Sequence, residues 1–325
     1  MIFAGECDGE IYRLPEAERV EINQELYVPA DDLTAVFPYS GEFPGLHKIY
    51  ILSGGRSDIE KAIEESDVIF KGIVDEQILS ADRSGARIKI YARSMAAVML
   101  DNECPPMMYT NPSADIICSK HIEPFGVGFE IEGIKCRCGE LAIAKGSSHY
   151  KAVEKFCSEF LGTVPRVGGD GICRFDTFGE TEDILFDNKS GVEFESVEVC
   201  ESRYSRISKV YVSGDNGYDT EVSDSESRKL GITRERYLNL SSSETHTLSD
   251  ADNILKNGRM KSLSVVLICE GCLLNKIGCN AQVSVEGCEG EVFVVAQVKY
   301  TASSGGEKCR VKLMRTGNAG GKNAY

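Results

Sequence analysis

The sequence predicts a mainly β protein with short helices (α+β), in which two small β-barrel-like domains flank an inserted α+β domain. Three observations predict it. Apolar and polar residues alternate with period two through the first ninety-odd residues, as half-buried strands require. After Arg93 this gives way to two apolar stripes at helical spacing. Alternation returns in the last third, where the final hairpin echoes the one that closes the first stretch. The resulting boundaries are 1–95, 96–200 and 201–325.

Within residues 18–26, Val20 and Ile22 alternate with Glu21 and Asn23, and 46–52 read as a second strand ended by Ser53-Gly54-Gly55. A hairpin follows. Val68, Phe70, Val74 and Ile78 share one face, Ser80 to Gly85 supply the turn, and Arg87-Ile88-Lys89-Ile90 begins the return. Strands this frequent suggest a small barrel or sandwich. Ser113, after Asn111-Pro112, marks a helix start, with Ala114, Ile117 and His121 on one stripe and Pro124 and Gly126 as the stop. A stronger helix is expected over 148–161. Tyr150, Val153, Phe156, Cys157, Phe160 and Leu161 form its stripe, and Gly162 its C-cap.

Strand patterns resume at 171–178, 192–199 and 209–212, whereas 220–247 read as a long polar loop. A short helix is expected over 250–257, capped by Ser249 and ended by Gly258. Strands follow at 262–269, 282–285, 291–301 and 308–314. The last two form a hairpin with Val292, Val294, Ala296, Val298 and Tyr300 on one face. Its return strand, Arg310-Val311-Lys312-Leu313, repeats the pattern of Arg87-Ile88-Lys89-Ile90, as two related domains around an insertion would.

A chain of 325 residues buries about 75% of its unfolded surface and needs no disulfide staples. No apolar run approaches the roughly 18–20 residues of a membrane span. The start, MIFAGECDGEIYRLPEAERV, lacks the basic flank and apolar core of a secretory signal. The 13 cysteines are therefore expected to be reduced. The net charge of −15 is uneven: residues 1–199 carry 19 basic and 36 acidic residues, and 200–325 carry 17 and 15. An acidic body offers few cations to displace phosphate counterions, so specific nucleic-acid binding is not expected.

Catalytic and cofactor chemistry is sparse. The tail from Gly317 to Asn323 and the turn Gly168-Gly169-Asp170-Gly171 lack the spacing and context of phosphate loops. Cys269 and Cys272 form a CxxC, but Cys279 and Cys288 are nine apart, so buried thiols are favoured over zinc. Cys136 and Cys138 have no second pair. Of the four histidines, His121 belongs to a helix stripe, His149 and His246 read as solvated, and none, His47 included, sits in a nucleophile motif. Exposed aromatic clusters are not evident. No catalytic residue, cofactor or metal is expected.

What remains is the run ARSMAAVMLDNECPPMMYTNP at 92–112, followed by SADIICSKHIEPFGV. It resembles the tail-hub family of contractile-tailed bacteriophages and phage-tail-like particles, also called late-control or baseplate-hub proteins. The matching residues are Arg93, Ser94, Asp101, Asn102, Glu103, Pro106, Tyr109, Asn111, Pro124, Phe125 and Gly126. Ala92 stands where the family has glycine, and Cys104 interrupts the turn. Phe37-Pro38 and the first hairpin fit the family's first barrel. The resemblance covers 18–126 well and the remainder by order of elements.

The resemblance implies a structural, non-enzymatic homotrimer whose six barrel-like tube domains match the sixfold tail tube above, with a threefold spike below. It implies a central channel, contacts with other baseplate proteins, no membrane insertion, and a place in a virion or tailocin baseplate assembled in the bacterial cytoplasm. Arg87, Lys89, Arg310, Lys312 and Arg315 are the candidate interface residues, and the C-terminal cations Lys308, Arg310, Lys312 and Arg315 are expected to meet an acidic partner surface. The alternatives are a particle-delivered cell-wall hydrolase and a β-rich module that binds a host surface.

Overall fold

A computed structural model describes residues 1–54, 59–64, 68–131, 134–175, 183–214, 217–239 and 247–316. The chain divides into two compact units. Unit 1 comprises 1–180, 271–277 and 297–309, and unit 2 comprises 181–270, 278–296 and 310–325. As expected, the fold is mainly β with short helices.

Unit 1 opens with β1 (Ile2–Cys7) and β2 (Glu10–Arg13), joined at Asp8 and Gly9, whose φ values are 52° and 84°. This hairpin is not among the expected strands, although Asp-Gly is a hairpin signal in its own right. Next come β3 (Arg19–Glu25), β4 (Asp32–Pro38), β5 (Lys48–Leu52), the short α1 (Ile59–Glu64), β6 (Val68–Asp82) and β7 (Gly85–Ser94). They pair antiparallel in the order β3-β4-β7-β6-β5-β1-β2. The alternating pattern is realised as burial: Val20 and Ile22 on β3 and Leu33, Ala35 and Phe37 on β4 face the core.

The β6–β7 hairpin is longer than expected and turns on Arg83-Ser84 alone. A bulge between Val74 and Glu76 shifts the register. Ile78 therefore leaves the face of Val68 and Phe70 and stands 44% exposed.

The rest of unit 1 contains α2 (Ala96–Asp101), β8 (Met107–Thr110), α3 (Ala114–His121), β9 (Gly128–Phe129) and β10 (Glu140–Ile143). It ends with α4 (His149–Phe156), β11 (Arg166–Val167) and β12 (Ile172–Arg174). Ser113 and Ser148 cap α3 and α4 by accepting the N–H groups of Ile116 and Lys151. A π-helical turn, Cys157–Leu161, continues α4 and stops at Gly162 with φ 71°. The α4 stripe packs with Met99, Ile117 and Cys118 in one core. Of the expected strand at 171–178, residues 176–178 lie outside the described residues.

Unit 2 contains β13 (Asp183–Phe186), β14 (Ser196–Glu201), β15 (Lys209–Gly214), β16 (Gly217–Ser223), α5 (Ser225–Lys229) and β17 (Glu235–Leu238). It continues with α6 (Thr247–Met260), β18 (Leu263–Glu270) and β19 (Asn280–Val283). The hairpin of β20 (Phe293–Ser303) and β21 (Gly306–Arg315) contributes residues to both units. In unit 2 the order is β14-β18-β21-β20, with β19 on β20 and β13 on β19. In unit 1, Gln297 to Ser303 pair with β3.

Two expectations fail here. Residues 220–247 are not one long loop: β16 and β17 flank β15 in a three-stranded sheet, and Asp224 caps α5. The pattern misleads because nearly every residue of β16 is exposed, so both faces are polar. Residues 240–246 lie outside the described ones. The helix expected at 250–257 runs from Thr247 to Met260, with Gly258 inside it. A Cβ at Gly258 would stand 3.1 Å from the Ser205 carbonyl oxygen, so this glycine permits close packing instead of ending the helix. Val210 and Val212 of β15 pack against Ala251 and Leu255 of α6. Among the described residues no ladder closes on itself, so the expected barrels are open sheets in their hydrogen bonding.

Candidate assembly interface

The run that carries the family resemblance spends its polar groups on the architecture of unit 1. Arg93 grips two carboxylates, with Nε 2.7 Å from Asp75 Oδ2 and Nη2 2.7 Å from Asp101 Oδ2. The guanidinium holds the Asp101 carboxyl below the usual range. Ser94 Oγ accepts the Asp31 N–H at 3.0 Å, and Glu103 Oε1 accepts the Gly146 N–H at 3.0 Å. Asn111, with φ 48°, bonds Gly139 through both its backbone N–H and its side-chain oxygen. Gly126, at φ 67°, closes the turn formed by Glu123–Phe125.

His149 corrects an expectation. It is half-buried: its Nδ1 lies 3.1 Å from Nδ1 of His121, and Phe125 packs edge-on against its ring. His121, expected in the core, is 1% exposed and reaches the Tyr109 hydroxyl at 2.8 Å through Nε2. Burial and the neighbouring His149 push the His121 imidazole down to about 4. His246 lies outside the described residues.

The candidate cations differ in burial. Arg87 Nε sits 2.6 Å from Glu18 Oε2, and Lys89 Nζ lies 4.2 Å over the Tyr91 ring. These two share one face of β7, while Ile88 and Ile90 are buried on the other. On β21, Arg310 is exposed and Lys312 half-buried, again alternating with the buried Val311 and Leu313. Arg315 is already engaged within unit 2. Its guanidinium meets Glu291 at 2.8 Å and Glu226 at 3.2 Å, leaving its side chain 13% exposed. Arg206 shares Glu226 at 2.8 Å, and the two arginines hold that carboxyl below its ordinary range.

Several surface features escaped the sequence reading. Tyr211 and Tyr237 are cross-strand partners stacked at 5.2 Å, and Tyr218 meets Tyr237 edge-on at 5.0 Å. An exposed aromatic cluster therefore exists, assembled by the pairing of β15 with the distant β17. Ile78 and Leu79, beyond the bulge, and Val197 and Val199, on β14, are further exposed apolar residues. Cys269, Cys279 and Cys288 are buried and Cys272 exposed. Among the described residues no group of three or more His, Cys, Asp or Glu is placed to hold a metal ion. No described helix is long and apolar enough to cross a membrane. The tail 317–323 lies outside the described residues.

No family model matches the sequence, and no curated protein is significantly similar to it. Solved structures match in fold. The tail protein from Neisseria meningitidis MC58 superposes with a TM-score of 0.72 at 15% identity, covering 96% of each chain. The 43 kDa tail protein of prophage MuSo2 from Shewanella oneidensis gives 0.73 at 15% identity, covering 97% of this chain and 98% of that one. An E. coli component of the type VI secretion system, described as structurally similar to the T4 bacteriophage tail proteins gp27 and gp5, gives 0.57 at 9% identity, covering 95% and 76%. The chain thus has the fold of phage tail proteins along nearly its whole length.

Proposed function

We propose that the chain is the structural baseplate hub of a contractile phage tail or a tail-like injection particle. Three copies form a ring around a central channel and adapt the sixfold tail tube to the threefold spike. Residues 1–95 and 201–325 supply the two tube-matching domains, and 96–200 the inserted domain. The observation that carries this reading is the likeness to two phage tail proteins across 96–98% of both chains. The polar network from Arg93 to Asn111 supports it, because it holds a framework together and leaves the work to surfaces. The product of such a protein is a geometry, with no reaction to catalyse. Partners are further copies, the tube, the spike and other baseplate proteins, and the place is the baseplate of the particle.

Mass photometry of the purified chain, alone and with its spike protein, tests the reading. A trimer is expected. A strict monomer at high concentration with spike present would overturn it, and clearing on a peptidoglycan zymogram would favour the hydrolase.

A further inference from the structure

Strand β14 is open along one side. Its six residues are all exposed and, among the described residues, it pairs only with β18. The Ser202 N–H bonds the Ser262 carbonyl, and the register is constant along the pair. Ser196, Glu198 and Cys200 therefore turn their backbone groups toward β18, whereas Val197, Val199 and Glu201 turn theirs outward. Val197 and Val199 stand opposite the buried Leu267 and Val265, yet are themselves 36% and 40% exposed. The apolar layer stops one strand short of cover. Charge defines what can cover it: Glu193, Glu195, Glu198 and Glu201 fall in nine residues without a cation. A second β14 would oppose like charges, so the occupant is a different edge.

Unit 1 carries an edge of the matching kind. The distal half of β6 pairs with β7 but lies beyond the reach of β5, whose partners end at Ile73. Its two-residue turn closes on Asp82 and Gly85, so Gln77, Leu79 and Ala81 present their backbone groups outward. Leu79 is 57% exposed, and the hairpin bears Arg83, Arg87 and Lys89.

We propose that β14 of one copy adds antiparallel to the distal half of β6 of a second copy, with Val199 opposite Leu79. This register sets Val197 opposite Ala81 on the core side. It sets Glu198 opposite Ser80, in line with Arg87, which is the β7 partner of Ser80. Cys200 falls opposite Ile78. Two different patches meet, which is the heterologous contact that generates rings. The inference rests on the self-assembly proposed above and names the strands that carry it.

Cys200 makes the register testable with one substitution. Residues in the non-hydrogen-bonded position of an antiparallel pair have Cα atoms about 4.5 Å apart, within disulfide range. Ile78→Cys, oxidised with copper phenanthroline, is expected to give covalent multimers on a nonreducing gel. Wild type and Ile78→Cys/Cys200→Ser should give none. Multimers that persist without Cys200, or none at all, overturn the register. The second variant is Val199→Pro, whose missing N–H points away from β18, so the internal ladder survives. Its melting temperature should stay within a few degrees of wild type while self-association weakens at least tenfold. Wild-type association by Val199→Pro would sink the edge pairing and leave the hub reading intact. A wild-type chain that never associates would sink both.

Discussion

Gln24 and Asn275 exchange two hydrogen bonds although 251 residues separate them: Gln24 Nε2 donates to Asn275 Oδ1 at 3.0 Å, and the Asn275 N–H donates to Gln24 Oε1 at 2.7 Å. Asn275 Nδ2 continues to the Ile69 carbonyl at 2.9 Å, and Gln24 Nε2 also donates to Asp31 at 2.7 Å. The segment 271–277 is thereby tied into unit 1. Gln24→Ala leaves the buried Asp31 carboxyl short of a donor, costing about 1–3 kcal/mol, whereas the N–H of the exposed Asn275 is regained by water. A loss of about 1–3 kcal/mol is expected from urea unfolding. A loss below about 1 kcal/mol would show that the segment is held by other contacts.

Asp31 makes stability depend on pH. Burial, opposed by the Arg166 charge and the Gln24 bond, pushes its carboxyl up to about 6. A raised carboxyl favours the protonated native state, so its contribution is complete below the unfolded value near 3.9 and is lost as pH rises toward 6. Asp31→Asn mimics the protonated form. It is expected to match wild type at pH 4 and to exceed it by about 3 kcal/mol at pH 8, the shift of about two units converted to energy. Equal stability of the two proteins at pH 8 would contradict this.

The paired histidines act in the opposite sense. With the His121 imidazole pushed down to about 4, the folded state prefers it neutral. Its contribution is complete above the unfolded value near 6.5 and is lost as pH falls toward 4. The Asp31 and His121 windows overlap, so the wild-type curve should be flattened between them. In the Asp31→Asn background the acid slope should emerge, and adding His121→Gln should remove it again. Urea midpoints at half-unit steps would decide; an Asp31→Asn curve flat from pH 4 to 7 would count against a depressed His121.

Local signals were legible and non-local ones were not. Ser113, Ser148 and Gly162 mark helix ends by bonding or conforming within their own turn, so single residues announce them. The outward turn of Ile78 depends on one bulge between Val74 and Glu76, which alternation alone does not reveal. The tyrosine cluster needs β15 beside β17, and the contact of His149 with His121 needs α4 beside α3. Among the candidate interface cations, alternation with Ile88, Val311 and Leu313 correctly set Arg87, Lys89, Arg310 and Lys312 opposite the core face. It could not reveal that Arg315 faces Glu226 and Glu291 within its own unit.

That distinction decides how the charge prediction is tested. Contacts between partly exposed charges steer docking and contribute ~0.2–1 kcal/mol per pair. On β21, Arg310 is exposed and Lys312 half-buried on the side opposite the core face, so Arg310→Glu/Lys312→Glu should weaken assembly with little change in unfolding. The deficit should be largest at low salt and shrink as ionic strength rises, because screening removes favourable and unfavourable terms alike. Arg315 belongs in a separate variant. Arg315→Ala strips two carboxylates of a mostly buried partner, although Arg206 retains Glu226, so a destabilisation of about 1 kcal/mol is expected from unfolding. Assembly per folded molecule should then be unchanged. Combining all three reversals would mix a stability defect with an association defect. The double reversal, measured by light scattering across a salt series, isolates the second. Wild-type assembly of that double variant at low salt would remove the β21 cations from the interface.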